Sequence, residues 1–145
     1  MAKILMADDE PQFQESYKER LKGDGHTVLI ATSARDALNM LDSHPDINLL
    51  VLDIMMPYER LEDLLRMGVA AVVSAAETDV WTGVRLYRKI KSDYPRLKVV
   101  ILSVLSEADI RNEAPSLAFD CPFLRKGGAN SDGNYDVIRS VLAER

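Results

Sequence analysis

The sequence is short of several things, and each shortage excludes something. It has one cysteine, Cys121, among 145 residues, so no internal disulfide can form. A reducing, cytoplasmic location is the simplest expectation. It has two histidines, His26 and His44, and neither stands in a spacing that suggests a metal site. No apolar run approaches the roughly 18–20 residues of a membrane span. The opening Met1–Ala7 runs straight into acidic residues, without the apolar core and cleavage site of a secretory signal. The positive excess that nucleic-acid binding requires is also missing. The net charge is −5, so direct nucleic-acid contact is not expected, and the lack of a long apolar run gives no expectation of a membrane partner.

What remains suits a globular protein. Hydrophobic residues make up 47% and charged residues 28%, enough for one sizeable core and a solvated surface. The length fits one domain, taken here as 1–145.

Strand and helix patterns alternate along the chain. Lys3–Ala7 is a short apolar run and reads as a first strand. In Glu10–Lys22, Phe13, Tyr17 and Leu21 recur at four-residue spacing, which predicts a helix. Pro11 suits its first turn, and Gly23 and Gly25 end it. His26–Ala31 reads as a second strand. Ser33 followed by Asp36 has the spacing of a capping box, opening a helix with Ala37, Leu38 and Leu41 inward. Asn48–Leu52 and Val99–Leu102 are nearly all apolar, as strands buried on both faces are. Pro122–Leu124 is a fifth strand. Helices are expected over Gly83–Ser92, after Ser106 with Asp109 in its first turn, and over Ser131–Ala143. This alternation predicts a doubly wound α/β fold, whose functional crevice lies beyond the carboxyl ends of the strands.

Reading just past each strand gives a consistent set of residues. Asp8 and Asp9 follow the first strand, Asp53 the third, Ser103 ends the fourth and Lys126 follows the fifth. Carboxylates crowded together repel one another unless a cation intervenes. Oxygen-only donors favour a hard divalent ion, and magnesium commonly takes one or two carboxylates together with phosphate oxygens. A carboxylate can itself attack phosphorus and form an aspartyl phosphate. A lysine and a hydroxyl would bind the remaining phosphoryl oxygens.

These motifs, with Asp53-Ile54-Met55-Met56-Pro57, Thr82-Gly83 and Phe123-Leu124-Arg125-Lys126, resemble the receiver domain of bacterial two-component response regulators. The resemblance implies a flavodoxin-like, five-stranded parallel sheet of order 2-1-3-4-5 with helices on both faces. It implies Asp53 as phosphoacceptor and Mg2+ held by Asp8, Asp9, Asp53 and the Met55 carbonyl. Ser103 and Lys126 would contact the phosphoryl group, with Phe123 as the switch aromatic. The phosphoryl donor would be a histidine kinase or a histidine phosphotransfer protein, and output would pass by contact with a downstream protein effector. The protein is then a switch rather than an enzyme, catalysing only its own phosphorylation and dephosphorylation. The alternative is an interaction scaffold on the same fold that phosphorylation does not control.

Three departures stand out. Gly127 follows Lys126 where the family usually has proline. Val104 follows Ser103 where a small residue is common, which predicts a long-lived phosphoryl group. An insertion at about 58–80 separates strand three from helix three. Its apolar run Val69–Ala76 either packs locally or forms a partner or homodimer surface.

Overall fold

The computed structural model describes residues 1–54, 80–113, 120–126 and 131–144. Among the described residues five strands are present: β1 (Lys3–Ala7), β2 (Thr27–Ala31), β3 (Leu49–Leu52), β4 (Lys98–Ser103) and β5 (Phe123–Arg125). Five helices lie among the described residues: α1 (Pro11–Gly23), α2 (Ala34–Ser43), α3 (Val80–Asp93), α4 (Glu107–Glu113) and α5 (Ser131–Ala143). All strand pairs are parallel, and the sheet order is β2-β1-β3-β4-β5. This is the flavodoxin-like, doubly wound sheet that the alternation of patterns predicts.

Parallel strands need crossovers, and the crossing helices bury both faces of the sheet. Alternate residues of each strand accordingly enter two separate cores. Leu5, Leu50, Leu52 and Ile101 pack with Ala37 and Leu41 of α2, Leu86 and Ile90 of α3 and Ile110 of α4. Ile4, Met6, Leu49 and Leu102 pack with Tyr17 and Leu21 of α1 and Tyr135 and Ile138 of α5. This is why β3 and the middle of β4, Val99–Leu102, carry no polar residue.

The helix ends follow their local chemistry. Ser33 Oγ accepts the Asp36 N–H at 3.1 Å and caps α2. At α4 the exchange is reciprocal: Ser106 Oγ accepts the Asp109 N–H at 3.1 Å, and Asp109 accepts the Ser106 N–H at 3.0 Å. After α1 the chain turns at Gly25, whose φ of +92° lies in the left-handed region that favours glycine.

Several boundaries differ from the sequence expectation. β2 and β3 each begin one residue later, and β4 gains one residue at each end. α3 begins at Val80, so residue 80 belongs to the helix and not to the insertion. β5 is Phe123–Arg125 because Pro122 has no N–H to pair; its carbonyl instead accepts the Ile101 N–H at 2.9 Å. The insertion otherwise lies outside the described residues. Among the described residues no helix is long and apolar enough to cross a membrane.

Two substitutions should separate the cores from the caps. Leu50→Ala empties a fully buried position and should cost about 2–5 kcal/mol in urea unfolding. Ser33→Ala removes one cap and should cost about 0.5–2 kcal/mol. Equal losses would contradict this division.

Candidate functional site

The site is assembled by backbone bonds one residue beyond the strands. The Asp8 N–H donates to the Ala31 carbonyl, and the Asp53 N–H to the Ala7 carbonyl, both at 2.9 Å. The Lys126 N–H donates to the Ser103 carbonyl at 2.7 Å. Each residue therefore continues the ladder of a neighbouring strand at the carboxyl edge of the sheet, and its side chain projects from a fixed backbone.

There Lys126 meets the acids. Its Nζ lies 2.6 Å from Asp8 Oδ2, 2.9 Å from Asp53 Oδ2 and 3.9 Å from Glu10 Oε1. Asp8, Asp53 and Lys126 are all buried. Asp8 Oδ1 also accepts the Glu10 N–H at 2.8 Å, which folds the start of α1 over the pocket. One carboxylate oxygen from each of Asp8, Asp9, Glu10 and Asp53 lies within 4.8 Å of the others.

Four acids against one ammonium leave excess negative charge. Burial pushes the Asp8 carboxyl up to about 6; the charge of Asp53 adds to the rise, while the hydrogen bond from Lys126 opposes it. Burial, then the charge of Asp53, also raises Asp9. Burial works against the Lys126 ammonium, but its bond to Asp8 and the charge of Asp53 outweigh that and raise it. The donor set is all oxygen and anionic, which fits a hard divalent cation such as Mg2+.

The remaining expected residues are placed differently. Ser103 is fully buried at the end of β4, and its Oγ accepts the Leu105 N–H at 3.2 Å. Among the described residues its hydroxyl bonds to this loop and not to the acids. Phe123 is half-buried on β5 and packs against the core on the α2–α4 side. Val104 is 45% exposed. Met55 and Gly127 lie outside the described residues. Glu10 was not expected in the cluster; its signal was its place directly after Asp8-Asp9, which equally suits a helix N-terminus.

Solved structures match this fold along nearly the whole chain. The response regulator TrrA of Thermotoga maritima, in complex with Mg(2+)-BeF, aligns with a TM-score of 0.68 at 23% identity, covering 98% of this chain and all of that one. A response regulator receiver domain from Clostridium thermocellum aligns with a TM-score of 0.62 at 25% identity, covering 98% and 94%. In sequence, the transcriptional regulatory protein CpxR of Escherichia coli K12 is 39% identical over 66 residues, or 46% of this chain and 28% of that protein. The match thus spans just over a quarter of that relative's length. No protein-family model matches the chain. The fold is nonetheless that of response regulator receiver domains of the CheY-like type, which the chain matches across its length in structure and over part of it in sequence.

The raised Asp8 carboxyl makes a pH prediction. A folded-state value above the unfolded one means that the fold holds this proton more tightly. The contribution is therefore full below the unfolded value of 3.8 and is lost as pH rises through about 6. Metal-free Asp8→Asn should melt above wild type at pH 8, by about 2–4 °C for each kcal/mol relieved. The two proteins should converge below about pH 4. Thermal melts across this range, with a chelator present, check it.

Proposed function

We propose that the protein is a phosphorylation-controlled switch in which Asp53 accepts a phosphoryl group from a histidine kinase or histidine phosphotransfer protein. The observation that carries this reading is the Lys126 ammonium held on Asp53 Oδ2 inside a buried pocket of oxygen donors. A carboxylate oxygen of Asp53 attacks phosphorus, an O–P bond forms and the N–P bond to the donor imidazole breaks. The electron pair leaves on the imidazole nitrogen, which is then protonated. Hydrolysis of the acyl phosphate by water returns the carboxylate and releases phosphate.

Asp8, Asp9 and Asp53, with the Met55 carbonyl, are the proposed holders of Mg2+; the complex of TrrA with Mg(2+)-BeF supports this assignment. When bound, the ion neutralises charge on the transferring group. Lys126 is assigned to one phosphoryl oxygen and the Ser103 hydroxyl to another. Since Ser103 Oγ is engaged with the Leu105 N–H, that role requires the hydroxyl to turn from its own loop toward Asp53. Phe123, on the strand that ends beside Lys126, is assigned to relay the change to the surface around β5. The output is contact with a downstream protein, and the setting is the cytoplasm.

The test is incubation with acetyl phosphate, with and without Mg2+, followed by intact-mass analysis. Wild type should gain one phosphoryl group only with Mg2+, and Asp53→Asn should gain none. Lys126→Ala should slow uptake by roughly a hundredfold, the loss typical of removing one charge-stabilising donor. A wild-type protein that stays unmodified with Mg2+ present would sink the reading.

Val104 bears on the lifetime of the product. A branched side chain directly after Ser103 narrows the approach of water to the phosphoryl group. Val104→Ala should therefore shorten the half-life of the phosphorylated protein severalfold, followed by loss of the added mass after the donor is removed.

A further inference from the structure

The aim of Lys126 depends on a single peptide group. β5 has three residues and forms an edge of the sheet, and Lys126 follows it directly. In the sequence the next two residues are Gly127 and Gly128, the residue type that restrains a backbone least. Restraint must therefore reach Lys126 from elsewhere.

It comes from both edges of the Arg125–Lys126 peptide. The N–H of this group, on Lys126, donates to the Ser103 carbonyl of β4 at 2.7 Å. Its C=O, on Arg125, accepts from Asn134 Nδ2 of α5, also at 2.7 Å. The two groups point in opposite directions across a planar unit. Fixing both sets the rotation of that plane and the direction of the Lys126 N–Cα bond, which leaves only the sterically restricted φ to turn the side chain. On an edge strand the outward carbonyl would otherwise bond to water.

Asn134 suits this task and little else. It is buried, although it sits in α5 among the apolar positions Tyr135 and Ile138. A buried amide without partners is costly, and asparagine is a weak helix former. Among the described residues the other contact of Nδ2 is Tyr17 Oη of α1, at a longer 3.4 Å. We propose that Asn134 is a positioning residue: it locks the Arg125–Lys126 peptide plane and so aims the Lys126 ammonium at Asp53. Its effect on phosphorylation rests on the function proposed above; its effect on Lys126 does not.

The experiment therefore has two readouts. The first is amide hydrogen exchange of Lys126 in the full chain without a phosphodonor. In Asn134→Asp, which keeps the shape but loses the donor, exchange at Lys126 should rise at least tenfold. Exchange at the Asp36 amide, in the α2 cap, should stay at its wild-type rate. Asn134→Ala removes the donor without adding charge and should behave alike; Tyr17→Phe should leave Lys126 unchanged. The second readout is a double-mutant cycle on uptake from acetyl phosphate with Mg2+. Asn134→Asp should slow uptake by on the order of 10- to 100-fold alone, and by nothing further in a Lys126→Ala background. Unchanged exchange at Lys126 would overturn the proposal, as would equal slowing in both backgrounds. If wild type takes up no phosphate while exchange at Lys126 rises in the variants, the functional reading fails and the positioning role of Asn134 stands.

Discussion

One ammonium group bridges two buried carboxylates, and the carboxyl edge of the sheet is organised around that contact. Lys126 Nζ lies within 3 Å of both Asp8 Oδ2 and Asp53 Oδ2. Taking charges out of water is expensive, and removing one partner from a buried pair typically costs 3–5 kcal/mol, because the other charge stays uncompensated. Asp8 and Asp53 can remain close inside the protein because this lysine lies on both. The bridge also joins residues far apart in sequence, tying the end of β1 and the end of β3 to the residue after β5.

The fold delivers this contact through one repeated device. Asp8, Asp53 and Lys126 each sit one residue past a strand, and each donates its N–H to a carbonyl of the adjacent strand. Because the strands are parallel, their carboxyl ends share one edge. Because both faces are buried, the register is fixed twice, once by each core. A slip of one residue in β3 would drive Leu50 and Leu52 to the opposite face and carry Asp53 with them. The hydrophobic layers thus fix the positions of the acids without touching the pocket chemically.

Much of this was legible because the relevant signals are local. An apolar run followed by an acid marks both the strand and its end, which is how Asp8, Asp9 and Asp53 were found. The caps at Ser33 and Ser106 lie within single four-residue windows. Less legible were features whose meaning depends on distant partners. Glu10 reads equally as the start of a helix, and only the fold brings it within 4.8 Å of Asp53. Asn134 reads as a weak spot in α5 until the carbonyl of Arg125 is seen above it. The start of β5 was misplaced by one residue because Pro122 contributes a carbonyl to the ladder but no N–H. Ser103 shows the limit from the other side. Sequence placed it at the strand end, but the direction of its hydroxyl, toward the Leu105 N–H, follows from the loop conformation.

The charge balance also dictates an order of events. The pocket holds more negative than positive charge, which is why burial can hold a proton on Asp8 up to about pH 6. An anionic group entering alone would meet repulsion from at least three acids and attraction from one lysine. A divalent cation bound first offsets most of that excess, so occupancy by an anion is favoured by prior occupancy by a cation. The same imbalance that works against stability makes the pocket discriminating. Lys126 is shared between two acids, so an arriving anion competes for an ammonium that is already engaged. Any such exchange of partners must pull on the Arg125–Lys126 peptide, and that peptide is tied to β4 on one edge and α5 on the other. A change of partner at one nitrogen is thereby coupled to a buried strand and to a helix whose outer face is exposed.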